Sequence, residues 1–326
     1  MSYLEVAKIH PKLGNLLEEG AAISEKAAEE YATKHGVSVE DIINMRVDGS
    51  LLIGMNRHIA AVGALEVNKS IPNDVVFDRL DAGGVESEWI YVSDAKMKKV
   101  FFHLFGGGYI MGNLDIRRWS PYLYSKEAHM RCLNVGYRLA PEHPYPAALD
   151  DSINAYKWLL AQDIDPKDVI ICGESAGGGL TMATMLKLRD LELPMPAAAV
   201  MQSPWVDLSG RGKSLKTFYK YEPDIASGVE AMANLYAGSY SRKNPYISPV
   251  YAELEDLPPL LIQVGGIEVL RDEAMLLAER AKTSGVEVTL EVYEGMTHVF
   301  QGFSDRLEES MNAWKNIGSF VKKHIN

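Results

Sequence analysis

A tight glycine-rich turn in the middle of this 326-residue chain joins an apolar segment to a helical one. Residues 169–172 predict a buried parallel strand, residues 180–189 have a helix-forming composition, and Gly173-Glu174-Ser175-Ala176-Gly177 lies between them. In a G-x-S-x-G turn, glycine tolerates the crowding beside the serine, and the hydroxyl is presented beyond the sheet edge at the N-terminus of the helix. The five-letter pattern alone also fits an incidental serine, but the strand–turn–helix context indicates a nucleophile.

Segments on either side of this turn supply the other groups that a nucleophilic serine needs. Upstream, an apolar strand ends at Gly106-Gly107-Gly108, where backbone N–H groups can approach a ligand closely, as an oxyanion hole requires. Downstream, Glu268 and His298 each follow a predicted strand. Ligands bind beyond the carboxyl ends of the strands in open parallel sheets, so all three segments are expected at one edge.

The base and the acid differ in how well the sequence identifies them. His298 lies in a loop after a strand, downstream of both serine and acid, whereas His324 falls in the last predicted helix and is expected at the solvated surface. Two carboxylates compete as the acid. Glu268 directly follows its strand and is favoured on position. Asp272 lies one helical turn later and fits an acid that is stabilised by the helix dipole.

Six segments follow one another in a characteristic order from about residue 81 onward: 105–109 (FGGGY), 137–144 (YRLAPEHP), 173–178 (GESAGG), 203–207 (SPWVD), 268–273 (EVLRDE) and 295–298 (GMTH). Together they resemble the hormone-sensitive-lipase-like family of α/β-hydrolases, in its bacterial carboxylesterase and acetyl-esterase branch. The resemblance implies a serine esterase that acts on small-molecule esters through an acyl-enzyme, is often dimeric and needs no cofactor. Its catalytic residues would be Ser175, Glu268 and His298.

The oxyanion loop holds the main departure from the family pattern. That pattern implies the backbone N–H groups of Gly107 and Gly108 as donors, together with that of Ala176 after the nucleophile. The family has a histidine directly before the three glycines, and this chain has Phe105. Alternatively, His103 is the family histidine and the next two residues are an insertion. Both alignments stay open, and because phenylalanine can only pack, we expect a less rigidly held loop.

Strand and helix patterns alternate over most of the chain, which predicts an α/β fold with a mostly parallel eight-stranded sheet and helices on both faces. Residues 1–70 are mostly helical, with a capping box that begins at Ser38, and the strandless stretch 208–246 interrupts the alternation. We expect these two segments to form a helical cap on an α/β-hydrolase catalytic domain of residues 71–326. The strands are predicted at 75–80, 88–92, 100–105, 132–137, 169–172, 197–202, 260–264 and 288–293.

Composition excludes several function classes. The chain has 33 basic and 44 acidic residues, a formal net charge of −11, which argues against nucleic-acid and anionic-membrane partners. There is no apolar run of membrane-spanning length and no signal-peptide layout at the N-terminus. Cys132 and Cys172 fall in separate predicted strands and are expected as buried free thiols. We therefore expect a cytoplasmic protein.

Two other functions fit the same motifs. One is hydrolysis of a lactone or an amide by the same residues, and the other is a non-catalytic small-molecule receptor of this fold. Relatives that serve as receptors have lost the triad histidine, whereas this chain keeps His298. Metal and dinucleotide sites are not expected, since no zinc-ligand spacing is present and the glycine-rich turn carries a serine where dinucleotide binding needs glycine.

Overall fold

The computed structural model describes residues 3–44 and 49–325. Within that part of the chain, eight strands form one sheet in the order β1-β2-β4-β3-β5-β6-β7-β8. β2 pairs antiparallel with both of its neighbours, and every other neighbouring pair is parallel. The strands are β1 Val76–Asp81, β2 Glu86–Tyr91, β3 Lys96–Leu104, β4 Met130–Val135, β5 Val169–Glu174, β6 Ala198–Gln202, β7 Leu260–Gly265 and β8 Val288–Tyr293.

The sequence patterns located each of these strands, and one predicted boundary is clearly wrong. β3 begins at Lys96, although its apolar signal begins only at Val100. The first part of the strand is exposed and charged, so it carries no hydrophobic pattern. Lys96 nevertheless pairs with Met130 of β4, and a shift in register separates that pair from the one at Val100.

Helices pack on both faces of the sheet, as an α/β fold requires. The larger hydrophobic core lies between the sheet and α6, α7 and α10, and a second core lies between the sheet and α5 and α11. The helices are α1 Leu4–Ile9, α2 Pro11–Lys34, α3 Val39–Ile43, α4 Gly49–Asn68, α5 Trp119–Ala128, α6 Ala147–Leu160, α7 Ala176–Asp190, α8 Ser214–Thr217, α9 Pro223–Ala237, α10 Arg271–Thr283 and α11 Glu308–His324.

The two segments that were predicted to be helical and strandless are so in the described residues. α1 to α4 precede the first strand, and α8 and α9 lie between β6 and β7. Ser38 caps the N-terminus of α3 as predicted, because its hydroxyl accepts a hydrogen bond from the Asp41 N–H at 3.1 Å. The Tyr3 hydroxyl donates to Asp224 of α9 at 3.2 Å, which joins the two segments directly.

The side chain of Arg57 joins α4 to the loops at the carboxyl edge of the sheet. The Arg57 guanidinium donates to the carbonyl of Ile110 at 2.7 Å and to that of Ala140 at 3.0 Å. It also forms a bidentate ion pair with the Glu142 carboxylate, with both N–O distances at 2.7 Å. α4 therefore packs against the loops that follow β3 and β4.

Both cysteines are buried free thiols, as predicted. His324 was expected at the solvated surface, and this is wrong: its side chain is only 10% exposed and its ring packs on Phe320 at a centroid distance of 4.5 Å. Among the described residues, no helix has the length and apolar character needed to cross a membrane.

Candidate active site

The serine turn has the geometry that its sequence predicts. Ser175 lies between β5 and α7 with φ 56° and ψ −123°, a conformation that a non-glycine residue adopts only under strain. A Cβ atom on Gly177 would lie 1.9 Å from the carbonyl oxygen of Leu104, and one on Gly173 would lie 2.4 Å from the same atom. Only glycine fits at these two places, because β3 passes directly beside the turn.

Ser175, His298 and Glu268 meet at the carboxyl edge of the sheet. The Ser175 hydroxyl oxygen lies 2.9 Å from Nε2 of His298, and Nδ1 of that ring lies 3.4 Å from Oε1 of Glu268. The second distance is longer than the usual N–H···O range of about 2.7–3.2 Å. Glu268 is fully buried, and its Oε2 accepts hydrogen bonds from the Ser203 hydroxyl at 2.6 Å and from the Gly265 N–H at 2.8 Å. These two donors fix the carboxylate.

The competing carboxylate, Asp272, is engaged elsewhere. It lies in the first turn of α10, where its Oδ2 accepts from the Ser214 N–H at 3.0 Å, while its own N–H donates to the Ser214 hydroxyl at 3.2 Å. Asp272 therefore joins α10 to α8. The structure brings Glu268, and not Asp272, to His298.

A further buried carboxylate, Glu222, lies beside the imidazole and was not identified from the sequence. Its Oε2 accepts from the Val269 N–H at 2.7 Å, and its Oε1 accepts from the backbone N–H of His298. Burial and the nearby charge of Glu268 raise the pKa of Glu222 to about 7, although His298 and the two backbone donors act against this. Glu222 thus links the start of α9 to the loops of both Glu268 and His298. No local pattern marks it, since its partners are far away in the sequence.

In the loop after β3, the backbone at Gly107 and Gly108 admits only glycine. Gly107 has φ +128° and Gly108 has φ +62°. A Cβ atom on Gly107 would lie 2.1 Å from the carbonyl oxygen of Met111, and one on Gly108 would lie 2.2 Å from the sulfur of Met232 in α9. A Cβ atom on Gly106 would lie 3.2 Å from that of Ser175, so the loop passes directly beside the nucleophile.

Ala176 supplies the third candidate donor from the other side of the serine. It is the first residue of α7, and the first N–H groups of a helix have no intrahelical acceptor. The helix N-terminus also favours negative charge at this point. The glycine loop and the start of α7 therefore both lie next to Ser175, where an oxyanion hole would need its backbone donors.

The loop at Phe105 has polar partners that the sequence did not indicate. The Phe105 ring stacks on Tyr137 at a centroid distance of 4.3 Å, and the Tyr137 hydroxyl donates to the Phe105 carbonyl at 2.6 Å. The next N–H, that of Gly106, donates to Oε1 of Glu174 at 2.8 Å. The expectation of a loosely held loop therefore loses its basis, because the backbone on both sides of the Phe105–Gly106 peptide is held by buried side chains.

The strand register also bears on the two alignments of the loop. β3 pairs with β5 without interruption from Val100 to Leu104, so no bulge accommodates a two-residue insertion there. Phe105 therefore stands directly before the glycine loop, and His103 lies within the strand. Across the described parts of the chain, no group of three or more His, Cys, Asp or Glu side chains is arranged to hold a metal ion.

Comparisons with known proteins agree with this geometry. The family model of the α/β-hydrolase fold matches residues 100–302, a span that contains all six candidate site residues. An acetyl-hydrolase of Streptomyces hygroscopicus is 36% identical over 252 residues, which cover 77% of this chain and 83% of the relative. An esterase of Acinetobacter venetianus is 34% identical over 242 residues, 73% of this chain and 79% of the relative.

A solved structure gives the same assignment. The crystal structure of an esterase from the bacterial hormone-sensitive lipase family superposes with a TM-score of 0.81 at 40% sequence identity, covering 84% of this chain and 92% of that one. Sequence, sheet topology and the arrangement around Ser175 thus lead to one family. The chain belongs to the α/β-hydrolase fold family and is a carboxylesterase of its hormone-sensitive-lipase-like branch.

Proposed function

We propose that this carboxylesterase hydrolyses small to medium acyl esters through an acyl-enzyme formed on Ser175. His298 takes the hydroxyl proton as the oxygen attacks the ester carbonyl, and it then gives that proton to the departing alcohol. Water next attacks the acyl-enzyme, again with His298 as the base, and the carboxylic acid leaves. Glu268 orients the imidazole and stabilises its protonated form. The backbone N–H groups of the oxyanion hole are those of Gly107, Gly108 and Ala176.

The proposal rests on the 2.9 Å contact between the Ser175 hydroxyl and Nε2 of His298, beside the glycine loop. A hydroxyl has little nucleophilicity near neutral pH and needs a base within hydrogen-bond reach. The ring nitrogen that faces away from the serine points to Glu268, which is the arrangement of a Ser-His-acid triad. A receptor without catalytic activity would have no use for this pairing.

A Ser175→Ala variant tests the nucleophile. Turnover of p-nitrophenyl butyrate should fall by up to about a millionfold, because a triad without its nucleophile keeps only binding and oxyanion stabilisation. A fluorophosphonate probe should label the wild type at Ser175 and leave the variant unlabelled. Ser152→Ala is the matched control, since Ser152 is a buried serine whose hydroxyl donates to the carbonyl of Ala148 within α6. Labelling of another residue, or near-normal turnover in Ser175→Ala, would refute the assignment.

Three broader features belong to the same proposal. Residues 1–70 and about 208–246 form a cap over the site, supported by the contact of Met232 with Gly108 and by the hydrogen bonds of Glu222. The protein forms a homodimer, supported by the position of β8 at the edge of the sheet and by the exposed side chains of Met275 and Leu276 on the adjoining helix α10. It acts in the cytoplasm, supported by its two free thiols. Sedimentation velocity tests the dimer, and fractionation of the source cells tests the location.

A further inference from the structure

A buried histidine under the glycine loop has an acceptor at each ring nitrogen. His103 of β3 is fully buried, with Nδ1 at 2.9 Å from Oδ1 of Asn134 and Nε2 at 2.9 Å from Oε2 of Glu174. The amide nitrogen of Asn134 donates to the carbonyl of Arg117 at 2.8 Å, which fixes the orientation of the amide. Nδ1 of His103 must therefore carry a hydrogen, and Nε2 faces the carboxylate.

Glu174 connects this histidine to the loop. Its Oε1 accepts the hydrogen bond from the Gly106 N–H at 2.8 Å, while its Oε2 faces His103. The side chain is only 6% exposed. Burial acts to raise the pKa of Glu174, but the interactions with His103 and Gly106 outweigh it and hold this pKa below its ordinary value of 4.5. The carboxylate is thus ionised and oriented from two sides.

We propose that Glu174 and His103 are positioning residues that set the oxyanion loop relative to the nucleophile. Glu174 ends β5 and directly precedes Ser175, and its side chain reaches across to the loop that follows the parallel neighbour β3. One residue therefore fixes both the serine and Gly106, while His103 holds its carboxylate in place. In the family pattern, the histidine directly before the glycines would support the loop. This chain has Phe105 at that position, and Glu174 and His103 support the loop instead.

The inference rests on the proposed hydrolase function, and its consequence is specific to the transition state. Donors of an oxyanion hole act on charge that develops only as the tetrahedral species forms, so a displaced loop lowers kcat and leaves substrate binding almost unchanged. One poorly placed donor costs up to about a hundred- to a thousandfold in turnover. A merely structural role would instead lower the melting temperature and leave the kcat of the folded protein intact.

Substitutions at Glu174 separate the hydrogen bond from the charge. In Glu174→Gln the amide oxygen still accepts from Gly106, and the amide nitrogen can donate to Nε2 of His103, because the hydrogen on Nδ1 still serves Asn134. Glu174→Met fills a similar volume without a strong acceptor. We expect kcat for p-nitrophenyl butyrate to fall by about ten- to a hundredfold in Glu174→Met and to stay within about threefold in Glu174→Gln. KM should stay within about twofold in both.

A second variant and a second readout keep the test decisive if Glu174→Met does not fold. His103→Phe removes the donor to Glu174 and should also lower kcat at nearly constant KM. Phe101→Leu, two residues earlier on the same strand face, is the matched destabilising control and should not change kcat. Hydrogen exchange of the Gly106 amide should quicken in His103→Phe and in Glu174→Met, but not in Glu174→Gln.

Some results of these experiments would contradict the inference, and one would contradict the proposed function instead. The inference fails if the Glu174→Met and His103→Phe variants keep wild-type kcat, if their losses do not exceed that of Phe101→Leu, or if KM alone rises. It also fails if Glu174→Gln loses as much as Glu174→Met. If the folded wild type hydrolyses no ester at all, it is the proposed function that fails, and exchange at Gly106 still decides whether Glu174 holds the loop.

Discussion

Three carboxylates lie around His298 and favour the protonated form of its ring. Burial of the ring acts to lower its pKa, but the hydrogen bond and charge of Glu268, with the charges of Glu222 and Glu174, outweigh this and raise the pKa above 6.5. Only the neutral imidazole can take the proton of Ser175. Activity must therefore decline on the acid side, as the ring becomes protonated at a pH above its ordinary titration range.

The pH profile of kcat/KM tests this electrostatic account. The acid limb for p-nitrophenyl acetate should have a midpoint above 6.5. Glu222→Gln should move that midpoint to lower pH, because the variant lacks the negative charge that Glu222 gains as the pH rises through about 7, and this charge favours the imidazolium. Glu230→Gln changes an exposed carboxylate of α9, the helix that directly follows Glu222, and should leave the midpoint in place. An acid limb that stays unchanged or moves upward in Glu222→Gln would contradict the account.

The two candidate acids should respond very differently to loss of charge. Glu268→Gln should cut kcat by roughly four orders of magnitude, as loss of control over the imidazole tautomer does in other triads. Asp272→Asn should leave kcat nearly intact and cost less than about 1 kcal/mol of stability through a weaker helix start. Steady-state kinetics and urea unfolding of both variants measure this. The opposite ranking in kcat would transfer the role of acid to Asp272.

Among the elements of the fold, α9 approaches the site at two separate points. Glu222 immediately precedes its first residue and accepts hydrogen bonds from the backbone of the loops that carry Glu268 and His298. Met232, further along, lies against Gly108 of the glycine loop. The helix therefore borders both the acid–base side and the oxyanion side of the serine. Its position should influence which acyl groups fit above Ser175.

Met232→Ala should widen the space next to the oxyanion loop and favour longer acyl chains. Each buried methylene is worth about 0.8 kcal/mol, so room for one or two more should raise the ratio of kcat/KM for octanoate over acetate esters about fourfold or more. The measurement is a series of p-nitrophenyl esters from acetate to octanoate. Met275→Ala, at an exposed methionine of α10, is the control. A ratio equal to that of the wild type would show that Met232 does not limit the acyl pocket.

The sequence predicted the features that depend on neighbouring residues, and it did not predict those that depend on residues far apart in the chain. The central strands and the turn at Ser175 were located because apolar runs, glycines and a helix start are local signals. His298 and Glu268 followed from their places after strands. Glu222 and Glu174 were not found in these roles, since their backbone donors lie 47 to 76 residues away, at Val269, His298 and Gly106. No local pattern encodes such a contact.

For the molecule as a whole, the buried carboxyl groups of Glu174 and Glu222 make the free energy of unfolding depend on pH in opposite directions. The lowered pKa of Glu174 means that its share of stability is present above about 4.5 and is lost as the pH falls through the folded value. Glu222, with a pKa raised to about 7, behaves in the opposite way. The folded protein keeps its proton when the unfolded chain has lost it, so stability falls as the pH rises from about 4.5 to about 7.

Glu222→Gln should therefore flatten the pH dependence of unfolding near neutrality. Between about pH 5 and pH 8, the wild type should lose on the order of 2 kcal/mol more of its free energy of unfolding than the variant. His298 contributes in the same direction, because its raised pKa stabilises the fold below 6.5 and this share is lost at higher pH. The variant weakens that share as well, since it removes one of the charges that favour the imidazolium.

Urea unfolding at the two pH values, in wild type, Glu222→Gln and the exposed control Glu230→Gln, measures the difference directly. The control should follow the wild type. Equal slopes in all three proteins would mean that Glu222 is ionised in the folded state throughout this range. In that case its two backbone hydrogen bonds, from Val269 and His298, would outweigh its burial and the charge of Glu268, and a permanent charge would hold the start of α9 to these two loops.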